Sequence, residues 1–380
     1  MAVYHQMGHD SQNLLDEKDL HLYKGALISP VNYSESKVCA QIKKYASDKF
    51  EMIFDPQLYF PNSERGELPR WSYFPSDVDT ADMTSIVWWQ NLVKEIVNTV
   101  KKLNPHAVCS PAIVPRVYSD DYYHLNRQIS FELQQQLSGT DIDMLHTLLV
   151  RLEDLSNKKR SAEIASIITG GGANRIYLVL VSEVEPRREL SETEDIKGAM
   201  KLISYLENAG VRVLVGFSSS ELLLWKVAGA TDCASGKFFN LRRFTPSRWN
   251  TPPEGGGQIP YWFEESMMAY LREPDITRVQ KANFLSSASM ANPYGQSILQ
   301  QLASDPEKAW LSLSWRQYLY WFADFECRLT KGQVNPRELL KEAENIWGAL
   351  DDADILMDER QNDGSWIRAW RRALIEAFKE

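Results

Sequence analysis

Three acidic residues stand where a folded chain could use them for chemistry. Asp55 follows the strand-like run FEMIF and precedes Pro56, which ends pairing and leaves the carboxylate at the strand's C-terminal edge. Glu183 ends the apolar run RIYLVLVSE, and Asp232 opens the segment after VRVLVGFSSSELLLWKVAGAT. Two carboxylates brought together from distant points can divide labour: one stabilises or captures developing positive charge, the other moves a proton. Asp232 suits the first role and Asp55 the second. Asn32, Gln57, Tyr59, Ser110 and Ser182 lie at similar strand ends and can hydrogen-bond a bound group. Between Cys233 and Pro253 there is no acidic residue, whereas Lys237, Arg242, Arg243 and Arg248 supply positive charge. In a chain of net charge −9, that reversal marks a place able to hold phosphates with salt-dependent affinity.

These residues need a scaffold, and the pattern of runs supplies one. Strand-like segments at Gly25–Pro30, Phe50–Tyr59, Ala107–Pro115, Met144–Val150, Arg175–Glu183 and Val211–Val215 alternate with helical spacings at Ser36–Ala46, Asp82–Leu103, Ile129–Leu137, Asp195–Asn208 and Leu222–Val227. A further strand beginning near Asp232 brings the count to seven or eight. Crossover helices between strands imply a parallel sheet. The α/β alternation over about 230 residues predicts a (β/α)8 barrel, with an open doubly wound sheet as the alternative. Residues 61–80 form a loop long enough to carry function. Residues 1–22 read as a polar N-terminal arm, 23–254 as the barrel, and 255–380 as a helical C-terminal region set off by Gly255–Gly257 and rich in aromatics.

Composition bounds the rest. The 380 residues contain 44% hydrophobic and 24% charged side chains, as in globular proteins generally. The four cysteines are scattered, with neither CxxC nor paired Cys/His spacing, so neither a zinc site nor a disulfide framework is expected. No metal and no cofactor is expected. No run approaches 18 apolar residues, and the N-terminus lacks an apolar signal core, so no membrane partner and a cytoplasmic location are predicted.

Three ordered segments resemble the tRNA-guanine transglycosylase superfamily. They are Leu214-Val215-Gly216 with Leu222-Leu223, Val227, Gly229, Asp232 and Asn240-Leu241-Arg242; Leu180-Val181-Ser182-Glu183; and Phe54-Asp55-Pro56-Gln57. They span roughly residues 25–245. The family's zinc-binding Cys/His cluster is missing, as are the two glycines of its base pocket, so the chain looks closer to DNA-acting relatives than to tRNA-acting ones. The resemblance implies cleavage of the N-glycosidic bond of a modified base in DNA, a glycosylase role that suits antiphage defence. It assigns catalysis to Asp55 and Asp232, and base contacts to Asn32, Gln57, Tyr59, Ser182 and Glu183. Phosphate contacts fall to Lys237, Arg242, Arg243 and Arg248. A flipped base calls for an aromatic neighbour, with Tyr59, Trp71 and Tyr118 as candidates. Base exchange in tRNA or DNA, a non-catalytic nucleic-acid-binding subunit, and a small-molecule barrel enzyme are the alternatives. The oligomeric state stays open.

Overall fold

The structure, a computed structural model, describes residues 3–17, 21–76, 85–249 and 258–379. Eight parallel strands close into a barrel in chain order: β1 Val3–Gln6, β2 Gly25–Ile28, β3 Glu51–Phe54, β4 Ala107–Cys109, β5 Asp143–Arg151, β6 Arg175–Val181, β7 Arg212–Val215 and β8 Asp232–Ser235. Closure is made by β1, which pairs with β2 through Tyr4–Gly25 and with β8 through Val3–Cys233. The expected α/β barrel is therefore the fold.

The helices are α1 Gln12–Leu15, α2 Glu35–Tyr45, α3 Ile86–Leu103, α4 Asp120–Gln136, α5 Arg160–Thr169, α6 Thr193–Asn208 and α7 Leu222–Val227, one after each of the first seven strands. Strand alternation splits the apolar residues into two cores. Tyr4, Met52, Phe54, Tyr177, Leu214 and Ala234 belong to one, and Val3, Ile176, Leu178, Val213, Val215 and Cys233 to the other. Gly25 permits a close approach of neighbouring strands: a Cβ there would lie 2.1 Å from the Glu51 carbonyl oxygen.

One boundary differs from the sequence reading. Residues 1–22 are not simply an arm, because Val3–Gln6 is the first stave of the barrel. Its polar His5 and Gln6 are buried, which hides it from any hydrophobic-run criterion. The expected helix start at 82–84 and the Gly255–Gly257 linker lie outside the described residues. Beyond them come an antiparallel hairpin, β9 Trp262–Glu264 with β10 Ala269–Leu271, and helices α8 Glu273–Lys281, α9 Ser287–Ala291, α10 Pro293–Ser304, α11 Leu311–Thr330, α12 Pro336–Asp352 and α13 Ser365–Glu376. This region shares a core with the barrel: Tyr318, Trp321, Phe322 and Trp370 join Leu222, Leu223 and Trp225 in one cluster. Trp370 Nε1 donates to the Leu190 carbonyl at 2.7 Å, and Tyr23 Oη to that of Leu319 at 2.9 Å. The aromatic-rich segment is thus a packed buttress.

Candidate active site at the C-terminal mouth

The C-terminal strand ends of a parallel barrel carry the loops free to vary without disturbing the core, so ligand-binding groups collect there. Here that end holds most of the barrel's buried polar side chains. Asp55, the residue after β3, is 1% exposed. Its Oδ2 accepts from Tyr59 Oη at 2.8 Å, and its Oδ1 from the Gln57 backbone N–H at 3.0 Å. Gln57 takes a positive φ of 52° to turn that N–H back onto the carboxylate. Burial drives the Asp55 pKa up to about 6, against the opposing pull of those hydrogen bonds and of Arg248. A relay leads outward from this acid: Gln57 Oε1 accepts from Ser29 Oγ at 2.7 Å, and Ser29 Oγ accepts from Asn32 Nδ2 at 3.0 Å.

At the same end lies a cavity of about 540 Å³, whose lining does not include Asp55 itself. Its wall includes Asn32, Arg65, Arg187, Lys237, Arg242 and Arg248, and among the described residues no carboxylate lines it. Phe238, Phe239, Tyr261 and Trp315 give it an aromatic side. Arg248 lines the cavity and also acts electrostatically on Asp55, so it links the open space to the buried acid. Several buried polar atoms at this end have no hydrogen-bond partner among the described residues, among them Gln57 Nε2, Arg248 Nε and Nη1, Arg65 Nη1 and Trp249 Nε1. Native interiors satisfy such atoms unless water or a ligand does so.

The remaining expected site residues divide sharply. Asp232 is the first residue of β8, at the N-terminal end of the barrel, opposite Asp55. The chain returns there because Gly229, at φ 101°, ends the turn after α7, and Thr231 is tied to Glu207. Asp232 pairs with Lys24 and Arg212, each at 3.5 Å. It belongs to a charged floor in which Arg175 bonds Glu51 at 2.7 Å and Asp143 at 2.8 Å. The pairing of Asp55 with Asp232 across one site is therefore corrected: a barrel's length of packed core separates them.

Glu183 is exposed, with its backbone N–H, not its carboxylate, engaged by Glu153. Ser182 is buried and donates to Glu153 at 3.2 Å. Neither lines the cavity. Tyr59 and Gln57, expected to contact a base, hydrogen-bond Asp55 and do not line the cavity, whereas Asn32 does. Ser110 is occupied by Ser130 and the Thr147 N–H. Trp71 donates to the carbonyls of Pro30 and Tyr33 within the core, and Tyr118 packs edge-on against Tyr122. Neither is a stacking platform at the mouth.

The basic run is not a solvated strip. Lys237, Arg242, Arg243 and Arg248 are only 4, 3, 3 and 9% exposed, so they cannot track a sugar-phosphate backbone over the surface. Arg242 stacks 3.4 Å from the Tyr318 ring centre and donates to the carbonyls of Gly236 and Lys237. Arg243 lies between buried Glu221 at 3.6 Å and Glu189 at 4.0 Å, and holds the Arg188 carbonyl. Both are structural. Lys237 lies over Phe238 and Trp315, at 4.7 and 4.4 Å, with burial pulling its pKa down. Arg248 keeps Nε and Nη1 buried without acceptors; Arg243 Nη2 lacks a hydrogen bond too, but it faces the carboxylates of Glu221 and Glu189, whereas no ion pair holds Arg248 among the described residues. Arg65, which the sequence reading did not single out, lies in the 61–80 loop and matches it. The length of that loop after Asp55 was the available signal.

Among the described residues, no three His, Cys, Asp or Glu side chains converge as a metal site, and no helix is long and apolar enough to cross a membrane. No protein family matches the sequence, and no curated protein does. Solved structures similar to the chain include an L-ribulose 3-epimerase, 9% identical, covering 87% of this chain and 98% of that one with a TM-score of 0.39. Another is the BexX/CysO complex of Amycolatopsis orientalis, 14% identical over 68% of this chain and 95% of that one, TM-score 0.36. A third is a GH18 chitinase from Pseudoalteromonas aurantia, 10% identical over 63% and 95%, TM-score 0.36.

Proposed function

We propose that the protein is an enzyme whose chemistry is proton transfer by Asp55 on a small molecule held in the mouth cavity. The observation that carries this reading is a fully buried strand-end carboxyl, poised near pH 6, joined through Gln57, Ser29 and Asn32 and through Arg248 to a cavity in whose wall Arg65 and Arg248 keep donors without acceptors among the described residues. A carboxyl with a pKa near the working pH exchanges its proton at little cost in either direction. Tyr59 and the Gln57 N–H fix both oxygens, and Arg248 favours the charged form. Substrate must reach Asp55 past Arg248, and an anionic substrate draws that guanidinium toward itself.

Cleavage of an N-glycosidic bond, the expectation raised by the resemblance, is the second reading. Its support is the aromatic wall of Phe238, Phe239 and Trp315, against which one extruded base could stack. In this form Asp55 acts without a second acid: it stabilises the sugar cation or protonates the base. The burial of the four basic residues favours a small substrate, or a single flipped nucleotide, over an extended strand.

The test is a thermal-shift screen of phosphorylated, carboxylated and nucleoside metabolites. It is followed by turnover assays on the hits, with modified and unmodified DNA assayed in parallel for released base. Turnover abolished by Asp55→Asn supports the reading. Turnover that survives the substitution refutes it.

A further inference from the structure

We propose that Arg65 and Arg248 form a clamp for a phosphoryl group on the substrate-binding side of the mouth cavity. The clamp deepens the function above by naming the charged group of the substrate. It rests on that reading only for the claim that the bound molecule then reacts.

The two guanidiniums approach from different parts of the chain. Arg65 comes from the loop after β3, and Arg248 from the turn Pro246–Trp249 after β8. Both flank one indole: their Cζ atoms lie 5.7 and 5.3 Å from the Trp249 ring centre. The Arg248 Cζ also lies 5.3 Å from the Phe217 ring centre. Stacking fixes the planes of the two forks but satisfies none of their N–H groups. Arg248 Nε and Nη1, Arg65 Nη1 and Trp249 Nε1 are buried donors without acceptors among the described residues. Four unpaired donors at one place form a site for something rich in acceptors.

Charge narrows the class. The cavity wall carries no carboxylate among the described residues, and Asp55 is already engaged by Tyr59 and Gln57. Burial, and then the neighbouring Arg65, pull the Arg248 pKa down to about 10, as expected for like charges facing one another without an anion between them. Arg65 is lowered as well, by burial. Asp55 offsets part of the charge on Arg248 but makes no direct ion pair with it, and two partly desolvated cations side by side are costly, so an anion placed between them lowers that cost. A monoanionic carboxylate balances one guanidinium. A phosphate monoester carries close to two charges and three acceptor oxygens, and arginine forks bind it in bidentate fashion. Of the other cations lining the cavity, Arg242 is spent on carbonyls and rings and Arg187 on Glu185 and Tyr261, while Lys237 lies over Phe238 and Trp315 on the aromatic side.

The experiment is isothermal titration of the full chain with inorganic phosphate, against sodium chloride at matched ionic strength. Saturable phosphate binding is expected, weakened at least tenfold in Arg248→Met and in Arg65→Met. Arg65 is only half-buried, so its variant keeps the test open where Arg248→Met does not fold. Asp55→Asn is expected to bind phosphate at least as well as the wild type while losing turnover. Clamp failure and failure of the acid–base reading therefore register separately. A deoxynucleoside 5′-monophosphate and a single-stranded oligodeoxynucleotide form two further arms. Binding of the monophosphate alone assigns the phosphoryl group to a free small molecule, and binding of both assigns it to a nucleic-acid chain. No saturable binding of any phosphate by the wild type, or wild-type affinity in both arginine variants, overturns the clamp.

Discussion

Replacing Asp55 by asparagine is expected to stabilise the protein at neutral pH while abolishing its activity. The carboxyl is buried, and its pKa rises from 3.8 to about 6, chiefly by burial. A raised folded-state pKa means that the folded chain binds the proton more tightly than the unfolded chain. The stability this provides is complete below about pH 4 and is lost as pH rises through about 6. At pH 7 and above, the ionised group therefore costs up to roughly 3 kcal/mol, because a tenfold change in proton affinity is worth about 1.4 kcal/mol. Asparagine removes that cost but keeps one acceptor oxygen, whereas Tyr59 and the Gln57 N–H donate to two. Losing one hydrogen bond returns about 1 kcal/mol. The net gain is about 1–2 kcal/mol at pH 8, shrinking to nothing or reversing near pH 4. Urea denaturation midpoints of both proteins at pH 4.5, 6 and 8, with unchanged slopes, measure it. A variant less stable than the wild type at pH 8, or a difference independent of pH, would show that Asp55 is a well-solvated structural carboxylate and not a poised acid.

The same geometry sets three further outcomes. Asp232→Asn is expected to change turnover less than about threefold and stability by less than about 1 kcal/mol. Burial outweighs Lys24 and Arg212 to raise its pKa, so the neutral side chain is tolerated at this distant end; a steady-state assay beside a melt checks both. Arg243→Glu would set three carboxylates together in a buried site, with a loss beyond roughly 3–5 kcal/mol. It is expected to abolish soluble expression, whereas a surface nucleic-acid contact would lose only binding. Gly198→Ala in α6 would put a Cβ 2.0 Å from the Leu155 carbonyl oxygen. Separating that helix from the turn Leu152–Ser156 is expected to lower stability by about 2–3 kcal/mol without altering substrate affinity, as denaturation and binding curves would show.

The legibility of this chain in its sequence follows from what each inference used. Apolar runs such as Ile176–Val181 exist because a parallel barrel strand is buried on both faces, so burial itself writes the pattern, and the barrel could be read. β1 broke the rule because His5 and Gln6 are polar yet buried, and Gln6 serves Tyr177 across the barrel at 3.0 Å. Asp55 was legible because Pro56 marks the end of its strand. Asp232 was misplaced because an acid next to a strand looks the same whether the strand is ending or starting. Only the direction of the chain through Gly229 and Thr231 separates the two. Lys237 to Arg248 show a deeper limit. Charge is a property of residue type, but availability depends on partners that come from far along the chain: Tyr318 for Arg242, and Glu189 with Glu221 for Arg243. Arg248 is distinguished by buried donors with neither an acceptor nor a paired carboxylate among the described residues, and a missing partner leaves no mark on a sequence. Its counterpart Arg65 sits in a loop whose composition resembles any other. In the proposed clamp, the pairing of the neighbouring arginines is what leaves the donors of Arg65 and Arg248 to a ligand.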